Sequence, residues 1–112
     1  MSTDLADRAC TPCRAGTPPL TPDRIAPLLA QLDGWELEGG SRLVKSYRFK
    51  NFVQAVAFVN LITPIAEAEG HHPDLYLRWG EVRASLWTHA INGLSDNDFI
   101  LAAKLDRAYA QR

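Results

Sequence analysis

The chain has 112 residues, 46% of them hydrophobic, and a formal net charge of −1 from 12 basic and 13 acidic side chains. This length suits one globular domain with its own core, and the balanced charge gives no overall attraction to nucleic acid or anionic lipid. The N-terminal segment is charged every few positions, and no run of about 18 apolar residues follows it, so we expect a cytoplasmic protein without a membrane span.

Residues 1–20 form a segment rich in proline and threonine that holds both cysteines of the chain, Cys10 and Cys13, as a C-x-x-C pair. We predict a flexible tail here, followed by a single domain over residues 21–112. A structural zinc site needs four ligands, and only distant histidines could complete this pair. The neighbouring prolines also oppose the helix that a redox C-x-x-C pair usually opens, so a reduced pair in a mobile tail is the preferred interpretation.

The first part of the domain contains one helix pattern and two strand patterns. Thr21 is a predicted N-cap with Pro22 at the first helical position, and the helix that they begin is expected to end at Asp33–Gly34. Residues 35–38 and 43–49 then alternate between apolar and polar side chains, which predicts two strands joined by a glycine turn.

The longest predicted helix begins after Asn51, which resembles a capping box together with Gln54. Its apolar side chains repeat at helical spacing: Phe52, Ala55, Val56, Val59 and Ile62. Pro64 removes one helical N–H and crowds the preceding turn, so we expect a kink or an early break before Glu67.

A β-hairpin is predicted after this helix. If Trp79–Gly80 is its two-residue turn, Leu77 lies opposite Val82 and Leu75 lies opposite Ala84. In this register the apolar side chains of both strands share one face, whereas a slip by one residue would scatter them.

The last predicted helix begins at Ser95, with Asp98 three residues later, and gives the order α-β-β-α-β-β-α. Short connections between paired strands require antiparallel pairing. The predicted fold class is therefore α+β, a two-layer domain with a four-stranded antiparallel sheet and three helices on one face. The other face is left uncovered, which suggests a partner subunit.

The three histidines of the chain are predicted to meet at the open end of the hairpin. The hairpin register, extended outward, sets His72 opposite Trp87 and on the same face as His89, about 7–8 Å away along the diagonal. His71 has the other parity, but it lies where the chain leaves the helix, before His72 and Pro73. Each histidine taken alone is more often a surface or capping residue, and only the coincidence of all three favours a site.

Two kinds of chemistry fit three histidines. They form a zinc site in some enzymes, which would suit a metal-dependent hydrolase. Adjacent residues on an extended chain project to opposite sides, however, so His71 and His72 are poorly placed to share one ion. General acid–base catalysis without a metal fits better, because imidazole can both donate and accept a proton near neutral pH.

A wider signature surrounds these histidines. The run E-x-x-x-H-H-P-D at Glu67–Asp74, the run T-H-A at Thr88–Ala90 and the run G-L-S-x-x-D at Gly93–Asp98 together resemble the signature of the pterin-4a-carbinolamine dehydratases. The resemblance extends over nearly the whole chain from about Leu20 onward, and the N-terminal C-T-P-C segment is similar to the leader of bacterial members.

The resemblance implies the loss of water from 4a-hydroxytetrahydropterin to give a quinonoid dihydropterin, which recycles the cofactor of the aromatic amino acid hydroxylases. It implies no metal and no organic cofactor. It also implies a homodimer or homotetramer formed through the sheet, with a hydroxylase of the same pathway as a further partner. The alternative is a dimerisation or assembly factor that uses the same fold without chemistry, although the three histidines favour the enzyme.

Residue by residue, the resemblance implies that His71, His72 and His89 are catalytic, with His71 and His89 moving protons and His72 mainly holding the pterin. It implies substrate-binding positions around them: Trp35, Glu67, Gly70, Trp87, Thr88 and Asp98. Simple packing is an alternative for the two tryptophans, and helix capping is an alternative for Asp98.

Overall fold

The computed structural model describes residues 4–112. Its main elements are α1 (Pro22–Leu29), β1 (Glu36–Glu38), β2 (Arg42–Arg48), α2 (Phe52–Glu69), β3 (Asp74–Arg78), β4 (Glu81–Leu86) and α3 (Asp96–Gln111). Short 3-10 turns occur at Leu5–Asp7 and His89–Ile91. The predicted α+β class and the predicted order of helices and strands are confirmed.

The sheet has the order β1-β2-β4-β3, and every neighbouring pair is antiparallel. The predicted hairpin register is confirmed, with Leu75 opposite Ala84 and Leu77 opposite Val82. Val82, Ala84 and Leu86 are fully buried, because the central strand β4 turns this face toward the helices. β3 is an edge strand, and each of its residues is exposed.

The first helix is shorter than predicted. Thr21 is its N-cap and Pro22 is its first residue, as expected, but α1 ends at Leu29 instead of Asp33–Gly34. The chain continues in tighter turns, in which the N–H groups of Gln31 and Leu32 bond to the carbonyls three residues earlier. Gly34, with φ +80°, then turns the chain into β1.

The second helix does not break at Pro64. The side chain of Asn51 accepts a hydrogen bond from the backbone N–H of Gln54, as the capping prediction requires, and α2 continues to Glu69. The expectation of an early break is wrong because Pro64 and Asn60 lie on the exposed side, where the carbonyl that loses its helical partner can face water. The helix ends at Gly70, whose φ of +62° is the left-handed conformation typical of a C-cap.

One face of α2 belongs to the core. By length and composition, α2 is the one helix of residues 4–112 that would suffice to cross a membrane. Its buried stripe packs in the cluster formed with the sheet and α3: Ala55, Phe58, Ile62 and Ala66.

The described part of the N-terminal segment lies along α3. Leu5 is buried in the core, and Lys104 donates a hydrogen bond to the carbonyl of Ala6 at 2.9 Å. At the other end, Pro19 lies so close to Gly93 that a Cβ at residue 93 would come within 2.7 Å of it. The segment therefore has defined contacts with the domain, while its flexibility and the boundary near residue 20 stay predictions.

Candidate active site

A cavity of about 520 Å³ opens at the end of the β3–β4 hairpin, where α2 ends and the 3-10 turn after β4 begins. Its lining includes all three histidines and four of the predicted substrate-binding residues: His71, His72, His89, Glu67, Gly70, Trp87 and Thr88. The fold thus brings these residues together from two connections that are distant in sequence.

His71 is paired with a buried carboxylate. Its Nε2 lies 2.6 Å from Oδ1 of Asp98, and the side chain of His71 is 12% exposed while that of Asp98 is fully buried. The second carboxylate oxygen of Asp98 accepts hydrogen bonds from the hydroxyl of Thr88 and the backbone N–H of Ser95. A carboxylate can only accept, so Nε2 of the neutral ring carries the proton and Nδ1 is left to accept one.

Asp98 has two roles at one position. It lies in the first turn of α3, where its bond to Ser95 completes a capping box, and it also orients the ring of His71. It does not line the cavity, so the structure makes it a partner of His71 instead of the substrate contact that the sequence predicted.

His72 forms a second pair, with Glu67. Nε2 of His72 bonds to Oε2 of Glu67, and both side chains are exposed, at 59% and 68%. Glu67 lies in the last turn of α2, so the unbroken helix delivers this carboxylate to the cavity despite Pro64. This pair is open to solvent and can reorganise to bind a polar ligand.

His89 stands against the ring of Trp87. Their ring centroids are 4.1 Å apart, and no hydrogen bond from residues 4–112 engages the imidazole of His89. The indole of Trp87 is fixed by a hydrogen bond to Asp74 and by the guanidinium of Arg42, which lies 4.7 Å from its centroid. The ring of His89 therefore packs against Trp87, while its nitrogens have no hydrogen-bond partner within residues 4–112.

Trp35 is a predicted site residue that the structure places away from the cavity. Its indole donates to Asp106 at 3.0 Å, and its ring packs edge-on against Tyr47 in the core. Asp106 also accepts hydrogen bonds from Lys45 and Tyr47. Burial, and next the charge of Asp106, raise the pKa of Tyr47 above its usual range, so its phenol stays protonated and donates. Trp35 thus contributes to the packing of the core, and it does not line this cavity.

Sequence reasoning missed one side of the cavity. The C-x-x-C segment and one residue of α3 also line it: Cys10, Thr11, Pro12, Cys13 and Asn97. The composition of this segment predicted only a tail, because its contacts depend on side chains far away in sequence. Both cysteines are free thiols.

The histidines do not converge as metal ligands. Among residues 4–112, no three side chains of the histidine, cysteine, aspartate and glutamate types are grouped to hold a metal ion. His71 and His72 instead have separate carboxylate partners, Asp98 and Glu67.

Residues 18–108 match the family model described as pterin 4 alpha carbinolamine dehydratase. A relative from Alkaliphilus metalliredigens is 44% identical over 96% of this chain and 98% of its own length. Another, from Dechloromonas aromatica, is 51% identical over 95% of this chain and 94% of its own length. Both carry the provisional name pterin-4-alpha-carbinolamine dehydratase.

Two solved structures share the fold. A transcriptional coactivator/pterin dehydratase from Brucella melitensis superposes with a TM-score of 0.76 and 31% identity over 80% of this chain and 97% of that one. A pterin dehydratase-like protein identified as a RuBisCO assembly factor in the alpha-carboxysome is a more distant likeness, with a TM-score of 0.60, 21% identity, and coverage of 70% and 95%. Because the family model spans most of the chain and the relatives match over nearly their full length, the chain belongs to the pterin 4 alpha carbinolamine dehydratase family of hydro-lyases.

Proposed function

We propose that this chain removes water from 4a-hydroxytetrahydropterin by general acid–base catalysis with histidine side chains. The observation that carries the proposal is the His71–Asp98 pair at the wall of the cavity. A buried carboxylate fixes the tautomer and orientation of the ring and stabilises the imidazolium that forms when the ring holds a second proton.

The reaction needs one proton taken and one given. The N5–H bond breaks, its electron pair forms a double bond between N5 and C4a, and the C4a–O bond breaks as the hydroxyl leaves. One of the rings of His71 and His89 accepts the N5 proton, while the other protonates the hydroxyl, so that water departs. The net result on the protein is one proton moved between two groups, which exchange with solvent restores.

The remaining residues of the cavity suit a flat, polar ring. The exposed His72–Glu67 pair offers a donor and an acceptor to the edge of a pterin, and the indole of Trp87 adds an apolar contact at the cavity lining. In this arrangement His72 holds the substrate while His71 and His89 transfer protons.

The product of this reaction is a quinonoid dihydropterin, which a reductase has to convert back to the tetrahydro form. The proposed role is therefore recycling of the pterin used by aromatic amino acid hydroxylases, in the cytoplasm. The direct test mixes the purified protein with freshly prepared 4a-hydroxytetrahydropterin and follows the absorbance of the quinonoid product. An appearance rate that stays at the uncatalysed value with micromolar protein would contradict the proposal.

The open face and edge of the sheet support self-association as a further proposal. Within residues 4–112, β3 pairs with β4 on one side and leaves its other side open, and Tyr76 and Trp79 are 63% and 68% exposed on and beside it. Such an edge is a ready template for pairing with another copy. We expect a homodimer or homotetramer in sedimentation equilibrium, and a monomer at tens of micromolar protein would contradict this.

The same surface supports the second candidate function, a dimerisation or assembly role without chemistry. The solved relatives include a protein described as a transcriptional coactivator and one described as an assembly factor. The two functions separate in a variant with alanine at His71, His72 and His89. Partner binding is expected to survive that replacement, whereas dehydratase activity is expected to be lost.

A further inference from the structure

Cys10–Cys13 forms a wall of the cavity that the histidines also line, and it lies before the residues matched by the family model, which begin at residue 18. The full-length relative from Alkaliphilus metalliredigens leaves only 4% of this chain unmatched, so its match includes this segment. The wall thus lies outside the stretch matched by the family model but within the stretch that this relative shares.

Asn97 holds the middle of this wall by pairing with Thr11. The backbone N–H of Thr11 donates to Oδ1 of Asn97 at 2.9 Å, and Nδ2 of Asn97 donates to the carbonyl of Thr11 at 2.5 Å. Nδ2 also lies 3.5 Å from the sulfur of Cys13. Asn97 is 6% exposed, so its amide is a buried polar group whose partners come from the wall.

Glu69 holds the start of the wall. Its carboxylate accepts a hydrogen bond from the backbone N–H of Cys10 at 2.8 Å, and Lys104 lies 3.6 Å from its other oxygen. The bond from Cys10 is the main cause that lowers the pKa of Glu69. Glu69 ends α2 two residues before His71, and Asn97 precedes Asp98, so both anchors adjoin the His71–Asp98 pair.

The Cys10 thiol is structural in this arrangement. Burial, and next the nearby Glu69 carboxylate, raise its pKa to about 12. The thiol stays protonated at neutral pH, and its sulfur lies 3.6 Å from the carbonyl of Asn97. A protonated thiol is a poor nucleophile, so Cys10 contributes to this segment through packing and its contact with Asn97.

We propose that Cys10–Cys13 is a substrate-binding wall of the pterin cavity and that Asn97 is the positioning residue that holds it in place. The proposal rests on the proposed function for the identity of the substrate. The wall carries no histidine, carboxyl or basic side chain, so its contribution is to enclose the bound pterin and not to transfer protons. Loss of the wall therefore weakens substrate binding and leaves the rate of the bound complex nearly unchanged.

The first test separates KM from kcat in two variants. Asn97→Ala removes the anchor from the α3 side, and Thr11→Pro removes the paired N–H from the wall side without touching α3. Each is expected to raise KM about tenfold, because substrate binding then has to order the segment, with kcat within about twofold of wild type. The matched control is Asn60→Ala, the same substitution at an exposed position of α2, which should leave both constants unchanged.

Unchanged KM in both wall variants would overturn the proposal. So would a loss of kcat at constant KM, because Asn97 would then act through Asp98 and His71.

A second test measures whether bound pterin covers Cys13, and it requires no catalytic turnover. Alkylation of Cys13 by iodoacetamide is followed by mass spectrometry, with and without saturating 7,8-dihydropterin, a pterin that cannot be dehydrated. We expect the bound pterin to slow alkylation of wild-type Cys13 at least about fivefold, and Asn97→Ala to abolish this protection. If saturating pterin leaves the alkylation rate unchanged, the proposed wall is refuted, even if the enzyme is active. If pterin protects Cys13 but the protein has no dehydratase activity, the wall is supported and the proposed dehydratase function is refuted.

Discussion

Replacing His71 by alanine is expected to lower kcat for dehydration by about 10²–10⁴-fold, the usual loss when a positioned acid or base is removed. The side chain is nearly buried at the cavity wall and paired with the buried Asp98, whereas the other histidine–carboxylate pair described in the cavity, His72–Glu67, is exposed. Water that enters the space can transfer protons, but it lacks the orientation that the carboxylate imposes. Stopped-flow measurement of quinonoid product at saturating substrate gives kcat directly.

His89→Ala should produce a loss of similar size, because the reaction needs a second proton-transfer group and the imidazole of His89 is free for that task. His72→Ala is the matched control, since the same substitution is made one residue from His71 in an exposed pair. It is expected to raise KM more than it lowers kcat. Wild-type kcat in both His71→Ala and His89→Ala would refute the assigned proton transfer.

The hairpin shows what sequence could predict about the site. The alternation of apolar side chains around Trp79–Gly80 permits only one register that keeps them on one face, and the structure has that register. Extending it brought His72 and His89 to the same end of the sheet, where both line the cavity. Local patterns are informative here because strand pairing converts sequence distance into spatial distance by a fixed rule.

Contacts between distant elements could not be predicted in this way. The pairing of His71 with Asp98 depends on how the end of α2 faces the start of α3, which no periodicity encodes. Trp35 was predicted at the site and lies in the core, because its indole finds Asp106 on α3. The contacts of Cys10–Cys13 could not be predicted from composition, because its partners Glu69 and Asn97 lie 59 and 86 residues away from the residues that they bind.

The continuation of α2 through Pro64 also depends on contacts with distant elements. Its local effect favours a break, but the buried stripe of α2 continues on both sides of it, at Ile62 and Ala66. Packing of that stripe offsets the loss of one hydrogen bond, so tertiary contacts override the local preference. The consequence for the site is direct, since the intact last turn of α2 carries both Glu67 and Glu69 to the cavity.

Replacing Asp98 by asparagine tests the pair from its other side, with almost no change in shape. An amide that keeps its oxygen toward Thr88 and Ser95 has to turn its NH₂ group toward Nε2 of His71. Nε2 then becomes an acceptor and the proton moves to Nδ1, so Nδ1 can no longer accept a proton from the substrate. We expect kcat to fall about 10²–10⁴-fold, comparable to the loss of His71 itself.

The same substitution should also lower the free energy of unfolding by about 1–3 kcal/mol, because a charged acceptor at the start of α3 is lost in a fully buried place. Asp96→Asn is the matched control, since Asp96 lies in the same first turn with its side chain 51% exposed. It should keep wild-type kcat and nearly wild-type stability. Nitrogen NMR of the His71 ring distinguishes the chemical effect from a structural one, because only a change of tautomer exchanges the protonated nitrogen. Asp98→Asn with wild-type kcat, or with the proton still on Nε2, would show that the carboxylate does not control the ring.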